Sequence, residues 1–264
     1  MHIVVAIKQV PDTTNVRINP ETGTLIREGV PAIINPYDVH AIELAVQLKE
    51  KYGGKVTVVT MGPPKAAEAL SECVEQGADR CVLITDRKFA AADTLATSYV
   101  VWRAIDVIQQ EEPVDLFIFG MQAIDGDTAQ VGPGIARRLN LGQLTYIQKV
   151  ESVNVSENII IVHRRVDLGY EVIQAKMPCV ITVEKEINEL QYSPLPEMLR
   201  AAKYQPQIWG VNEIHADVNN LGLTGSPTTV RKIFSPPERI GGQRLEGSID
   251  EVTQALVGHL LEKI

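Results

Sequence analysis

The residues best suited to chemistry lie in one stretch, Phe117 to Leu139, which reads FIFGMQAIDGDTAQVGPGIARRL. An apolar run, Leu116 to Phe119, stops at Gly120. Met121, Gln122, Ala123, Ile124, Asp125, Gly126, Asp127, Thr128, Ala129, Gln130 and Val131 follow, and then a short helix expected over Ile135 to Leu139. In an open α/β sheet a ligand sits here, beyond the carboxyl end of a strand. The helix start offers unpaired backbone N–H groups and the positive end of a dipole, both suited to a phosphate. The glycines let backbone approach a ligand closely, and Gln122, Thr128 and Gln130 add side-chain hydrogen-bonding capacity. The same residues also fit a plain Gly/Asp turn with no ligand. Carboxylates beside Gly126 are what a turn uses to bind its own backbone, so acid–base work by Asp125 and Asp127 is the weaker alternative.

Two cationic positions carry a similar ambiguity. Lys8 follows the apolar run Ile3–Ile7 and precedes Pro11, Asp12 and Thr13. It is either a solvated strand end or a cation facing an anion or an electron-rich ring. Arg164 and Arg165 end another apolar segment beside Asp167. They read as a surface ion pair of little worth, or as guanidinium facing an anion or a reduced ring, where a fixed cation lowers the cost of added electrons. Other chemistries find no motif. There is no GxSxG, and Cys73, Cys81 and Cys179 form no CxxC. The five histidines have no HxxxH or HExxH spacing, which argues against a metal site. GxGxxG and GxxxxGK[ST] are both absent, so a bound nucleotide would not be held in the usual dehydrogenase or P-loop way.

These residues need a sheet to position them. Ile3–Ile7, Val56–Thr60, Cys81–Thr85 and Asp115–Phe119 are continuous apolar runs, expected as buried parallel strands. Helical patterns alternate with them. Tyr37 to Tyr52 follows Asn35-Pro36 and ends at Gly53-Gly54; a second helix starts at Pro64 and stops at Gly77; a third is capped by Asp93 and ends near Gln110. This alternation predicts βαβ units, with right-handed crossovers placing helices on both faces. Lys8, Met61-Gly62 and Gly120 then share one sheet edge and can share one ligand. Val16–Ile18 and Thr24–Ile26 flank a hairpin signal. Beyond Leu144 the pattern changes to strands at Tyr146–Val153, Ile159–Arg165, Tyr170–Lys176 and Pro178–Val183. The chain divides into an α/β domain over 1–190 and a Pro-rich arm over 191–264. The arm carries a short helix to Tyr204 and a final amphipathic helix over Ile249 to Glu262, with Val252, Leu256, His259 and Leu260 on its apolar side. Such a tail more often wraps a partner than forms its own core.

Bulk properties exclude several classes. The net charge is −8 over 264 residues, which argues against nucleic acid or an anionic membrane as the main partner. No apolar run is long enough to span a bilayer. MHIVVAIKQV reads as a strand and not as a signal peptide, and with scattered cysteines it fits a cytoplasmic protein.

The sequence resembles the β subunits of electron transfer flavoproteins over nearly its whole length. The resemblance rests on VAIKQVPDT (Val5–Thr13), INPY (Ile34–Tyr37), MGPP (Met61–Pro64), GADR (Gly77–Arg80), QAIDGDTAQVGP (Gln122–Pro133) and VDLGYEVIQAKMPCVITV (Val166–Val183). It implies a Rossmann-like, adenine nucleotide alpha hydrolase-like fold: a mostly parallel sheet flanked by helices, with an extended C-terminal arm. It implies an α subunit carrying FAD, and a β cleft holding AMP or a second FAD. Carried over by motif, the nucleotide contacts Ala6, Asn35, Pro36, Tyr37, Asp38, Met61 and Gly120 to Val131. Leu195 becomes an anchor for an acyl-CoA dehydrogenase or related flavoprotein. VPDT, DGDTAQVGP, REGV (Arg27–Val30) and GSPTTVRKIF (Gly225–Phe234) are similar to the electron-bifurcating branch. In that branch the β site holds FAD, takes a hydride from NADH, and divides the electrons between the α FAD and ferredoxin or flavodoxin. AMP-type members carry a bulkier acidic residue at the place of Gly126 and an aromatic near Thr13; small residues here leave room for an isoalloxazine. Lys8, Asp12, Thr13 and Arg165 are the expected flavin neighbours. Met121 stands where many relatives have Lys or Arg, which removes a cationic contact there. Two alternatives remain: a β subunit holding structural AMP, and a nucleotide-binding regulatory domain of the universal stress type.

Overall fold

The computed structural model describes residues 1–12, 17–18, 25–26, 31–229, 241–242 and 244–262. Strands β1 (His2–Ile7), β2 (Gln9–Pro11), β3 (Arg17–Ile18), β4 (Leu25–Ile26) and β5 (Ala32–Ile34) precede helix α1 (Pro36–Tyr52). Then come β6 (Lys55–Met61), α2 (Ala67–Glu75), β7 (Arg80–Ile84), α3 (Thr94–Glu111), β8 (Leu116–Gly120) and α4 (Val131–Leu139). Strands β9 (Gly142–Asn154), β10 (Ile159–Val166), β11 (Gly169–Lys176) and β12 (Cys179–Val183) are followed by α5 (Leu195–Ala201), β13 (Gln207–Trp209) and α6 (Ile249–Leu261).

Among the described residues one nine-stranded sheet runs in the order β11-β10-β9-β12-β8-β1-β6-β7-β13. From β9 to β13 all neighbours are parallel; β9, β10 and β11 pair antiparallel at one edge. The central runs are apolar because both faces are covered. One core layer packs Ile3, Val5, Val56, Val58 and Ile118 against α1 and α2. The other packs Val4, Val59, Phe117 and Phe119 against α3 and α4. The order reverses at β1, which has β8 on one side and β6 on the other. That is the switch point where a crevice opens beyond the strand ends.

Several elements differ from expectation. Helix α4 starts at Val131 and not at Ile135, since proline in the first turn costs no intrahelical hydrogen bond. Strand β9 starts at Gly142, four residues early, because it has β12 to pair with. β2 and β5 pair with each other after β1, an element that three-residue segments do not announce. Within the segment from residue 191, expected as an arm, the first elements lie against the sheet and its helices. α5 packs on α2, and β13 adds to the sheet edge at β7. α6, in contrast, buries none of its residues. β3 and β4 form the expected antiparallel pair; the turn between them lies outside the described residues. No helix among the described residues is long and apolar enough to cross a membrane.

Candidate functional site

The loop after β8 is held from beneath by the start of α1. Asn35 is 1% exposed. Its Nδ2 donates to the carbonyl of Gln122 at 2.8 Å, and its Oδ1 accepts from the Ile124 N–H at 3.1 Å. Asp38, 6% exposed, takes the N–H of Lys8 on one oxygen at 2.7 Å and the N–H of Gly120 on the other at 3.2 Å. It therefore ties together the ends of β1 and β8, the two strands flanking the switch. Burial pushes the Asp38 carboxyl up to about 7, against the hydrogen bonds from Asn35, Lys8 and Gly120 that favour its charged form. A side chain at position 120 would not fit: a Cβ there would lie 2.2 Å from Asp38 Oδ1 and 2.7 Å from Tyr37 Cβ.

The loop also binds itself. The N–H groups of Gly126 and Asp127 both donate to the carbonyl of Ala123, and Gln122 Nε2 donates to Asp127 Oδ1 at 2.8 Å. Asp127 and Ala129 take positive φ of 47° and 52°, a conformation that costs energy in residues with a Cβ and persists where surroundings enforce it. Lys8 Nζ reaches both Asp125 oxygens at 2.7 Å. This pair removes one negative charge from the mouth of the crevice. Thr94 Oγ1, at the start of α3, donates to Gln130 Oε1 at 2.7 Å. Val131 opens α4, whose first N–H groups have no intrahelical partner.

Beside the loop, under the first turn of α4, lies an open cavity of about 540 Å³. Thr128, Ala129, Gln143, Tyr146, Arg164 and Thr182 line it. Its floor is a β-bulge: the β9 register shifts against both β12 and β10, and Tyr146 takes a φ of 59°. Arg164 Nε is buried there without a hydrogen-bond partner among the described residues. A smaller space beyond Met121 is bounded by Tyr37, Arg165, Glu184 and Lys185. Burial, then the charges of Glu184, Glu186 and Asp127, raises the Tyr37 hydroxyl, and Lys185 Nζ sits 5.0 Å from its ring.

The sequence-expected residues separate into groups. Ala6 and Met61 lie on the α3 side of the sheet, half-buried at the ends of neighbouring strands. Pro36 and Tyr37 are half-buried at the start of α1. Lys8 and Asp125 meet, and Met121 borders both spaces. Asn35 and Asp38 face backbone and offer almost no surface to a ligand. Asp12 follows β2, its N–H donating to the carbonyl of Pro31, and Thr13 lies outside the described residues. Arg165 does not pair with Asp167. Its Nη2 is 2.7 Å from the buried Glu184 carboxylate, and its guanidinium stacks on Tyr146 at 5.8 Å. Neighbouring strand residues point to opposite faces, so it is Arg164 that enters the larger cavity. Gln143, Tyr146, Thr182 and Glu184 carry no sequence signal for a site; they reach it through the bulge and the parallel pairing of β9 with β12. Among the described residues no cluster fits a metal ion.

Comparison with known proteins adds lineage to this geometry. Residues 22–213 match the electron transfer flavoprotein domain family. The chain is 47% identical to electron transfer flavoprotein subunit beta of Thermoanaerobacterium thermosaccharolyticum, covering 98% of each chain. It is 46% identical to protein FixA of Azotobacter vinelandii, covering all of this chain and 94% of that one. It is 45% identical to the caffeyl-CoA reductase-Etf complex subunit CarD of Acetobacterium woodii, covering all of this chain and 99% of that one.

Proposed function

Because the chain belongs to the electron transfer flavoprotein family, as an electron transfer subunit of the β type, we propose that it binds FAD at the β1/β8 switch and works as one half of a pair with an α subunit. The pair takes electrons from NADH and divides them between ferredoxin or flavodoxin and a flavoprotein dehydrogenase of the acyl-CoA dehydrogenase kind. The observation that carries this reading is the pre-shaped loop 121–130, fixed at the strand ends and leading into the α4 N-terminus. FAD, when bound, supplies the interchange between two-electron and one-electron transfer. The protein supplies position and charge. The N–H groups of Val131 and Gly132 suit the diphosphate, and Lys8 offsets Asp125 beside it. The open space at Gly126 and the Arg164-lined cavity next to the loop favour FAD over AMP, since AMP leaves both unused.

Partner contacts follow from exposed apolar surface. Ser248 and Glu251 form a capping box at the start of α6, yet an isolated helix of this length is marginal in water. Ile249, Leu256, Leu260 and Leu261 are exposed on it, which suits residues 244–262 to lying against the α subunit. Leu195 is 68% exposed at the start of α5 and serves as the dehydrogenase anchor. Three free, buried cysteines suit the reducing cytoplasm. Cofactor extraction tests the proposal: the purified pair should release two flavins, and one flavin with one AMP would overturn FAD in this chain.

A further inference from the structure

We infer that Asn35 and Asp38 are positioning residues that set the shape of the cofactor loop from below without touching the cofactor, an inference that rests on the cofactor reading above. The geometry is complementary. The Asn35 amide donates to one carbonyl (Gln122) and accepts from one N–H (Ile124) of the loop, and it also hydrogen-bonds the Asp38 carboxyl. Asp38 presents two acceptors, and meets two N–H groups, those of Lys8 and Gly120. Exchanging amide for carboxylate at either position would conserve shape and reverse one polarity. Both residues are also fixed themselves. The Asn35 N–H donates to the carbonyl of Lys8, and the Asn35 carbonyl accepts from the Asp38 N–H, each at 2.8 Å. The first turn of α1 thus reaches β1, β8 and the loop through four side-chain hydrogen bonds. A buried polar group with every partner in place specifies one backbone arrangement, whereas one left half-satisfied disfavours it. The strained residues Asp127 and Ala129 lie just beyond the clamped segment, where a loop without anchorage would relax.

Two isosteric variants, Asn35→Asp and Asp38→Asn, test this in the pair with the α subunit. Asn35→Asp sets a carboxylate oxygen against the Gln122 carbonyl. Asp38→Asn sets an NH2 group against a backbone N–H; unlike the hydroxyl of a protonated acid, an amide nitrogen cannot accept. Amide hydrogen exchange of the cofactor-free protein should show Lys8, Gly120 and Ile124 protected in the wild type and faster in the matching variant. FAD affinity at the β site should fall about 10- to 100-fold, with the α flavin retained at full occupancy. A merely structural defect would lower melting temperature and leave the FAD dissociation constant unchanged. Weakened FAD binding with unchanged exchange would make these side chains direct contacts and overturn the inference, as would unchanged exchange and affinity together. If neither variant folds, the wild-type exchange pattern decides, and lack of protection at the three amides overturns it. Failure of the cofactor reading looks different: the wild type takes up no FAD in this chain, while the exchange differences remain.

Discussion

Gly120→Ala probes the packing beneath the loop most directly. The added Cβ would lie 2.2 Å from Asp38 Oδ1, 2.7 Å from Tyr37 Cβ and 2.9 Å from the Asp38 nitrogen. None of these is the free end of a flexible chain, so α1 and β8 must separate. Overpacking of this kind costs about 1–3 kcal/mol. Separation also strains the Gly120 N–H bond to Asp38, and a hydrogen bond to a charged group contributes about 1.5–3 kcal/mol. The combined loss is roughly 2.5–6 kcal/mol. At about 2–4 °C per kcal/mol for a chain of this size, the apparent melting temperature should fall by roughly 5–24 °C. Gly126→Ala is the control, since its Cβ meets no atom within 4 Å; it should stay within about 0.5 kcal/mol of wild type. Both are measured by thermal melts at one fixed concentration of the pair, because bound partner shifts the transition. Gly120→Ala melting within a degree of wild type would refute the reasoning. Equal losses in both variants would show that the loop resists any side chain, with no special role for Asp38.

Three further outcomes are expected. Arg165→Ala leaves the buried Glu184 with Gln148 as its remaining side-chain partner. Loss of one member of a fully buried pair costs about 3–5 kcal/mol, and half-exposure of the arginine reduces this to about 1–3 kcal/mol; urea titration reads the loss, and Arg165→Lys should recover part of it. Asp38 makes stability depend on pH. Its folded-state value of about 7 is raised above the ordinary carboxylate value, so the folded chain holds the proton more tightly than the unfolded one. That stabilisation is complete below about pH 4 and is lost as pH rises towards 7, so the urea midpoint should drop across this window more steeply in wild type than in Asp38→Asn; parallel slopes would contradict it. Leu195→Ala should leave the melting temperature unchanged, because the side chain is mostly exposed, while slowing electron transfer to the dehydrogenase several-fold in a stopped-flow assay; unchanged transfer removes Leu195 from the docking surface.

The central strands, their helices and the loop after Phe119 were legible in the sequence because their causes are local. Continuous apolar runs mark doubly covered strands, and Asp93, Pro36 and Gly53 punctuate helices through their own backbone chemistry. Resemblance in short motifs supplied the family and the expectation that Asn35, Asp38 and residues 120–131 act together. What each side chain does was decided by the tertiary structure. Asn35 and Asp38 sit three residues apart in a segment that reads as a helix start; only the parallel pairing of β1 with β8 brings two distant backbone segments, Lys8 and residues 120–124, to them and turns them inward. Arg164 and Arg165 are equivalent in sequence, and the bulge opposite Tyr146 with the pleat of β10 sends one into the cavity and the other to Glu184. Glu184 and Thr182 had no signal at all, since their place depends on β12 inserting between β8 and β9. Local sequence sets which elements form, through short-range sterics and apolar periodicity. The order in which strands pair is a long-range choice, and it alone determines which polar groups meet at the crevice.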